Sequence, residues 1–353
     1  MEPARPLLMI EGPKFSGFDF SPAPTAAVVT SGSSHQQESI WVPKPEGTEP
    51  FIVNGHRIVL PDKEARVKKS SEQDDESLLS HTARTASSVW DCSILLSKYL
   101  EALSDRMPGY WTGKRVLELG AGQGIVSFSA AALGAERVII TDVDSAVSSL
   151  QEGVTLNGFS TPQVQVATLD WTDHAQAIEH IWNDLLAAPP SPTSVTTGKE
   201  SDRSSDDIVV DAGQQPGKRQ RSSVSRLDYI LASDVIWVDY LIPALVDTMK
   251  DLIGVDHERP KEPEERLVEQ QQQQSVMGDP SVNLSRSSSP VVLLAYQFRS
   301  TRSDRLLFDA LDQLGLKRRK LSLTGADKDD QDAVELDLKF QKSNLAIWKI
   351  WRE

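Results

Sequence analysis

A glycine-rich turn between an apolar run and a helix-like segment is the feature that most constrains the fold of this chain. Residues 116–125 read VLELGAGQGI, and a second apolar run ends at Asp142, about 20 residues after Gly120. Glycines at such a turn let the backbone approach a ligand because no Cβ stands in the way. A carboxylate at this spacing accepts hydrogen bonds from ribose hydroxyls. The combination predicts a nucleoside-containing cofactor on a doubly wound α/β sheet.

The positions of the glycines indicate which cofactor to expect. In a dinucleotide fingerprint the third glycine opens the helix, but that position is Ile125 when counted from Gly120 and Ser127 when counted from Gly122. The Gly-Lys-Ser/Thr of a P-loop is also missing from the sequence. S-adenosylmethionine, which has a ribose and no phosphate, is the remaining common cofactor. A purely structural glycine turn is the alternative.

Composition and charge bound the class of protein. A chain of 353 residues with 39% hydrophobic side chains can bury one large core. The single cysteine, Cys92, forms no internal disulfide, so we expect a reducing compartment. The sequence shows no signal-peptide pattern at its start and no apolar run of about 18 residues, so we expect neither secretion nor a membrane. The few histidines lack metal-ligand spacing, and no metal is expected.

Net charge narrows the partners. The formal net charge is −14, which argues against nucleic acid because phosphate contacts need clustered lysine and arginine. The same charge is compatible with a basic protein target. The basic segment Lys218-Arg219-Gln220-Arg221, the quartet at 218–221, resembles a nuclear signal, although a solvated charge run is the favoured explanation. We therefore expect a cytoplasmic monomer, also present in the nucleus if the quartet acts as a signal.

Composition shifts divide the chain into ordered and low-complexity parts. Residues 1–48 are rich in Pro, Ser, Thr and Gly and are predicted to be disordered. Residues 49–353 are predicted to form one domain, interrupted by insertions at about 188–225 and 255–289. The first insertion is rich in Ser, Pro and Asp, and the second holds a run of glutamines, so neither can build a packed core.

The remaining segments alternate between strand and helix patterns. Residues 51–60 contain Asn-Gly between short apolar runs and predict a hairpin, and residues 87–103 have helical apolar spacing. Further strands are predicted at 115–119, 137–141, 163–169, 227–232, 291–298, 316–323 and 345–351. Further helices are predicted at 124–133, 146–156, 175–186, 240–252 and 303–314. The fold class is therefore a Rossmann-like, seven-stranded, mostly parallel sheet with an antiparallel edge hairpin and an N-terminal β-hairpin.

These segments resemble the seven-β-strand, class I methyltransferases that use S-adenosylmethionine. Within that group the chain resembles the small protein-lysine methyltransferases that act on chaperones, AAA ATPases and translation elongation factors. The matching pieces are FIVNGHRIVL, SSVWDCSILLSKYLE, GKRVLELGAGQGIVSFSAAALGAERVIITD, LDW, LDYILASDVIWVDYLIPALVDTM and VVLLAYQFRSTRSDRLLFDALDQLGL. The resemblance implies a doubly wound fold, the cofactor S-adenosylmethionine, and a lysine side chain of a protein as substrate.

The glycine turn and two carboxylates are expected to hold the cofactor. Gly120, Ala121 and Gly122 would lie against its methionine and ribose portions. Glu118 ends the preceding strand, where its carboxylate can reach the cofactor's amino group through water; a solvated or backbone-bonded role is the alternative. The resemblance implies that Asp142 binds the ribose hydroxyls, whereas capping of the following helix is the alternative.

Aromatic residues are expected to complete the cofactor pocket. The resemblance implies that Trp171 lies beside the adenine and that Trp90 lies at the helix entering the pocket, although tryptophans on apolar faces are often simply core. Asp170 is a candidate acceptor for the adenine amino group, with an ordinary loop aspartate as the alternative.

The segment Ala232-Ser233-Asp234-Val235-Ile236-Trp237 follows the fourth strand of the sheet and is expected to carry the reaction site. Ligands of doubly wound sheets lie beyond the carboxyl ends of strands, so Ala232 would contact the cofactor and Asp234 would orient the incoming amine. The related family commonly has Asp-x-x-Tyr here, but this chain has Trp237 in the tyrosine position. Trp237 keeps a flat wall for an alkylammonium and puts any role of a phenolic hydroxyl in doubt.

Two other functions stay open. The sequence lacks the Asp/Asn-Pro-Pro-Tyr/Phe motif of nucleobase amino-methyltransferases, and its one cysteine lies inside a predicted helix rather than at a nucleophile position. A small-molecule methyltransferase and a non-catalytic protein of the same fold, acting by protein contact, are the remaining alternatives.

Overall fold

The computed structural model describes residues 18–21, 49–61, 88–186, 227–254, 289–327, 329–341 and 344–352. The insertion predicted at 188–225, and with it the basic quartet, lies outside the described residues. So does all but the last residue of the insertion predicted at 255–289.

Four two-residue strands precede the main sheet: β1 (Phe18–Asp19), β2 (Glu49–Pro50), β3 (Ile52–Val53) and β4 (His56–Arg57). Strands β3 and β4 pair antiparallel through a turn in which Asn54 and Gly55 have φ values of +50° and +75°. Such left-handed backbone is what a two-residue hairpin turn requires, and Asn-Gly adopts it readily. The predicted N-terminal hairpin is therefore confirmed.

Residues 18–21 lie within the segment predicted to be disordered, and they form and follow β1. This strand pairs in parallel with β2. The rings of Phe18 and Phe20 lie 5.0 Å and 5.1 Å from the ring of Phe51, and Asp19 forms a 3.0 Å ion pair with Arg57. Two aromatic side chains in a polar segment supply enough buried apolar surface to order the few residues around them.

The main sheet has seven strands: β5 (Arg115–Leu119), β6 (Arg137–Asp142), β7 (Val164–Thr168), β8 (Tyr229–Ser233), β9 (Val291–Gln297), β10 (Lys317–Lys320) and β11 (Leu345–Trp351). Their order across the sheet is β10-β11-β9-β8-β5-β6-β7. All neighbours are parallel except β11, which runs antiparallel to both β9 and β10. The predicted doubly wound sheet with an antiparallel edge is confirmed.

Six helices are used below: α1 (Asp91–Arg106), α2 (Ile125–Ala132), α3 (Asp144–Leu156), α4 (Ala175–His180), α5 (Ile242–Ile253) and α6 (Thr301–Gln313). Two differ from the sequence-based expectation. Helix α1 begins at Asp91, because Trp90 is extended with φ −104° and ψ 145°. The single helix predicted at 175–186 is α4 followed by a π-helical turn, Ile181–Leu185. No helix in the described part of the chain is long and apolar enough to span a membrane.

Strand β5 shows how the sheet separates two cores. Val116 belongs to the apolar cluster that includes α1 and α2, whereas Leu117 and Leu119 belong to the cluster on the other face with α5 and α6. Because side chains alternate along a strand, Glu118 points to the α2 face. Strand β5 has β6 on one side and β8 on the other. After β5 the chain continues to β6 and β7 on one side, and then crosses to β8 on the other side, so the direction of the connections reverses at β5. Ligands of such sheets bind beyond the strands' carboxyl ends at this position.

Candidate cofactor and substrate site

The turn after β5 has backbone geometry that glycine accommodates. Gly120 and Gly122 have φ values of +63° and +56°, which L side chains rarely adopt. A Cβ built on Gly120 would lie 2.9 Å from Cζ2 of Trp171 and 3.0 Å from Cγ1 of Val235. Ala121 is buried, and its N–H donates to the carbonyl of Thr141 at 3.0 Å. The turn therefore passes directly under the Trp171 ring with no space for a side chain at Gly120.

Asp142, the last residue of β6, holds this turn in place. Its Oδ2 accepts the N–H of Gly122 at 2.7 Å, and its Oδ1 accepts the N–H of Val143 at 2.7 Å. Burial raises the pKa of Asp142, while these two bonds lower it. The N-cap position of α3 is Val143 rather than Asp142. Each carboxylate oxygen has two lone pairs, so both can still accept a ligand hydroxyl.

Glu118 is completely buried beneath the turn. Its Oε2 accepts the N–H and the hydroxyl of Ser127, at 2.9 Å and 2.5 Å, but its Oε1 has no hydrogen-bond partner. Burial raises the pKa of Glu118 to about 8, against the lowering effect of Ser127 and with a smaller raising effect from Asp142. The backbone and the hydroxyl of Ser127 therefore account for one carboxyl oxygen, and the other is left for a ligand.

Trp171 lies in a short 3₁₀ turn, Trp171–Asp173, just after β7. Its carbonyl accepts a hydrogen bond from Nδ1 of His174 at 2.8 Å, and Nε2 of that ring lies 2.9 Å from Oδ2 of Asp251 in α5. Asp170 is exposed, and its Oδ1 caps the turn by accepting the N–H and hydroxyl of Thr172. The observed contacts of Asp170 are those of a loop aspartate. The anchoring pair formed by His174 and Asp251 was not predicted from the sequence.

Asp234 follows β8 in a left-handed conformation, with φ +58°. Such backbone in a residue other than glycine costs of order 1–3 kcal/mol and persists only where its surroundings impose it. Here the N–H of Asp234 donates to the carbonyl of Ala295 in β9 at 2.8 Å, which fixes the backbone. The Asp234 side chain is buried.

Arg299, two residues beyond β9, forms a two-point ion pair with Asp234. Its terminal nitrogens lie 2.6 Å and 2.8 Å from the two carboxylate oxygens. The guanidinium carbon is 5.9 Å from the centre of the Trp90 ring. Burial by itself lowers the pKa of Arg299, but Asp234 raises it, and the net shift is upward. Burial and then the charge of Asp234 raise the pKa of the adjacent Cys92 thiol, which is hydrogen-bonded to that carboxylate.

Arg299 is a site residue that sequence reasoning missed. The available signal was its position just after a strand that neighbours β8, since carboxyl ends of adjacent parallel strands meet at one edge.

The other candidates occupy different environments. Trp237 is half-buried, three residues after Asp234. Ala232 has no exposed surface and belongs to the apolar cluster on the α5 face, in register with Leu119 and Leu294. Its side chain is therefore not brought to the open edge of the site. Among the described residues, no group of His, Cys, Asp and Glu is arranged to hold a metal ion.

Comparison with known proteins identifies relatives of part of the chain. Residues 75–188 match a family model described as lysine methyltransferase, so the predicted resemblance is confirmed over that segment. Methyltransferase-like protein 23 of Dictyostelium discoideum is 40% identical over 76 residues, which cover 20% of this chain and 30% of that protein. Protein N-lysine methyltransferase METTL21A of Danio rerio is 38% identical over 106 residues, covering 29% and 45%. Histone-arginine methyltransferase METTL23 of Homo sapiens is 35% identical over 105 residues, covering 29% and 48%.

The chain thus spans less than half the length of these curated relatives. One similar solved structure is magnesium protoporphyrin IX methyltransferase from Synechocystis PCC 6803, with bound SAH. The superposition covers 82% of this chain and 94% of the length of that protein. It is 12% identical, with a TM-score of 0.35.

Proposed function

Because residues 75–188 match the lysine methyltransferase family, we propose that this chain is a protein-lysine N-methyltransferase that uses S-adenosylmethionine. The observation that carries the proposal is the meeting, at one edge of the sheet, of that segment's glycine turn with the buried carboxylates of Glu118 and Asp142. The acceptor would be a lysine side chain of a protein such as a chaperone, an ATPase or an elongation factor. One relative, of Xenopus tropicalis, is named EEF1A lysine methyltransferase 3 and is 38% identical over 86 residues.

Two features of the turn fit the cofactor. The Oε1 of Glu118 is a buried polar atom without a partner, which costs about 1–3 kcal/mol until a ligand satisfies it. The Trp171 ring packs directly against Gly120, which brings an aromatic face next to the turn. We assign Gly120, Ala121 and Gly122 to the methionine and ribose portions, and Glu118 to the amino group.

Asp142, Trp171 and Asp170 complete the proposed cofactor set. Asp142 would accept the ribose hydroxyls with its remaining lone pairs, and Trp171 would lie beside the adenine. Asp170 is a weaker candidate acceptor for the adenine amino group, because its Oδ1 already caps the local turn. Trp90 belongs to this region through its contact with Arg299. Ala232 would act only by shaping the strand beneath the site, since its side chain is buried.

The chemistry asks the protein mainly to position its substrate. S-adenosylmethionine supplies a methyl group on a sulfonium, which is an intrinsically good leaving group. A free lysine has a pKa of about 10.4, so its amine must lose a proton before it can attack. Desolvation favours the neutral amine. Asp234 would orient the amine and Trp237 would provide a flat wall beside its alkyl chain, so alignment and exclusion of water carry most of the rate.

Charge supports a protein acceptor. The net charge of −14 favours approach of a basic, lysine-bearing surface and disfavours nucleic acid. We place this activity in a monomer formed by residues 49–353, acting in the cytoplasm and, if the quartet at 218–221 is a signal, in the nucleus.

Labelled methyl transfer into proteins of a lysate tests the proposal. The purified chain is incubated with S-adenosylmethionine carrying a labelled methyl group, with Asp142→Asn as the site control. Labelled proteins are then hydrolysed, and methyl-lysine is separated from methyl-arginine. We expect discrete labelled bands that yield methyl-lysine and disappear with the variant, whose folding is checked by thermal melting.

Other outcomes would identify other functions. Methyl-arginine would favour the activity named for the human relative. Label confined to small molecules would indicate a metabolite enzyme. Cofactor binding without any transfer would indicate a non-catalytic protein of this fold.

A further inference from the structure

The Asp234 carboxylate is already occupied by a cation of the same chain. Arg299 contacts both of its oxygens, at 2.6 Å and 2.8 Å, and the side chains are 27% and 5% exposed. Two parallel N–H···O bonds of this kind are the strongest and most directional contact that a carboxylate makes with a cationic side chain. The residue expected to orient the substrate nitrogen therefore presents a neutralised carboxylate.

We infer that Arg299 is a positioning residue that selects lysine over arginine as the acceptor. By neutralising Asp234 it keeps that carboxylate from holding the substrate nitrogen as a cation, so that the nitrogen enters as a neutral amine. The inference rests on the proposed methyltransferase function and names the substrate class of that same site.

The physical reason lies in what an unpaired carboxylate would do. A buried negative charge next to an amine raises the pKa of that amine and retains the ammonium form, which cannot attack. A carboxylate balanced by Arg299 exerts little of this effect, yet each oxygen keeps a lone pair that can accept one N–H of a neutral amine.

The same arrangement works against an arginine substrate. A guanidinium stays charged, with a pKa above about 12, and would need the two-point contact that Arg299 already occupies. A lysine amine can become neutral and needs only one acceptor.

The surroundings hold Arg299 in this role. Its guanidinium lies beside the Trp90 ring, just before α1, where a cation gains from the aromatic face. Among the described residues, the Cys92 thiol also faces the pair and is held neutral, and the Asp91 carboxylate acts on Cys92. Farther along the chain, Arg302 pairs with Asp239 at 3.0 Å. In the described part of the chain, Arg299 is the cationic side chain that forms an ion pair with Asp234.

A pH profile of methyl transfer separates this role from simple structural support. Methyl-lysine formation in lysate protein is measured from about pH 6.5 to about pH 9.5 with saturating labelled cofactor. Arg299→Met and Arg299→Gln remove the positive charge, and Gln still donates a hydrogen bond to Asp234 if Met destabilises the fold. Arg299→Lys keeps the charge. Arg302→Met is the matched control, because its side chain is exposed and pairs elsewhere.

We expect the neutral variants to lose about tenfold or more in rate near pH 7 and to recover towards wild type near pH 9.5, which shifts the profile upwards by about one pH unit. Arg302→Met should keep the wild-type profile. Arg299→Lys should keep the pH dependence of wild type at a lower rate, because its charge remains although the two-point contact is lost. A uniform loss at all pH values in the neutral variants, or an equal shift in Arg299→Lys, would overturn the inference.

A binding measurement checks the same point without activity. Thermal melting is followed with n-butylammonium and n-butylguanidinium as mimics of the two cationic side chains. Arg299→Gln should be stabilised by both ions more than wild type, since Asp234 then has no cationic partner in Arg299. No difference between these proteins would contradict the inference. If wild-type protein instead transfers no methyl to lysine, the proposed function fails, while the melting comparison still reports on Arg299.

Discussion

The two halves of the candidate site satisfy their carboxylates in different ways. On the β5–β6 side, Asp142 accepts only backbone N–H groups and Glu118 keeps one oxygen without a partner. On the β8–β9 side, Asp234 is bound at both oxygens by Arg299. The first half is built by backbone close in sequence and leaves an acceptor open. The second half is closed by side chains from different strands, so a ligand there must compete with or supplement an existing ion pair.

Removing the carboxylate of the closed half should have the largest effect. Asp234→Ala leaves Arg299 partly buried without its partner, which destabilises folded proteins by about 3 kcal/mol. We expect that loss in urea unfolding, together with loss of methyl transfer and retained cofactor binding. Arg302→Ala, which breaks a more exposed ion pair, should cost less than about 1 kcal/mol. An equal loss of unfolding free energy in both variants would mean that burial does not make the Asp234–Arg299 pair more important for stability than the exposed pair.

Removing the carboxylate that clamps the turn should weaken cofactor binding. Asp142→Ala frees the N–H of Gly122 and removes the proposed ribose acceptor, so we expect the dissociation constant for S-adenosylmethionine to rise by more than about tenfold in calorimetry. Asp144→Ala, an exposed acid in the first turn of α3, serves as the control. Unchanged affinity in Asp142→Ala would exclude the assigned ribose contact.

Glu118 predicts a pH dependence of stability. Unfolded, it loses its proton above an ordinary pKa of about 4.5, whereas in the folded protein burial keeps it protonated up to about 8. The unfolded state then binds fewer protons, so the free energy of unfolding falls as pH rises through this window, by about 1.4 kcal/mol per pH unit. Comparing urea unfolding of wild type and Glu118→Gln at pH 6 and pH 7, about one unit apart, should reveal this slope in wild type only. Parallel behaviour of the two proteins would rule out a protonated Glu118.

The smallest expected effect separates backbone strain from crowding. Gly120→Ala and Gly158→Ala both place a side chain at positive φ, which costs about 1 kcal/mol. A Cβ at Gly158 meets nothing within 4 Å, whereas one at Gly120 meets Trp171. Only Gly120→Ala should therefore lose additional stability and cofactor affinity. If the two variants melt and bind alike, the close approach of the Trp171 ring is unimportant.

The contrast between the halves also explains which parts were predictable from sequence. Strand β5 and the turn after it were predicted closely because apolar runs and glycines report local structure. The pair of Asp234 and Arg299 joins residues 65 positions apart and depends on β8 lying beside β9, which no local pattern reports. Residues 18–21 were missed for a related reason, since the order of Phe18 depends on a distant aromatic partner, Phe51. The start of α1 after Trp90 was shifted because its apolar spacing continues beyond the helix.

The hydroxyl at position 127 has a consequence for redesign. Counted from Gly122, Ser127 takes the position where a dinucleotide-binding turn would have its last glycine, and here its N–H and hydroxyl both hold Glu118. Replacing Ser127 with glycine to recruit a nicotinamide or flavin dinucleotide would remove the hydroxyl that binds Glu118. The buried Glu118 would then lie beside the incoming pyrophosphate. Exchange of cofactor class therefore requires positions 118 and 127 to change together, as a coupled pair.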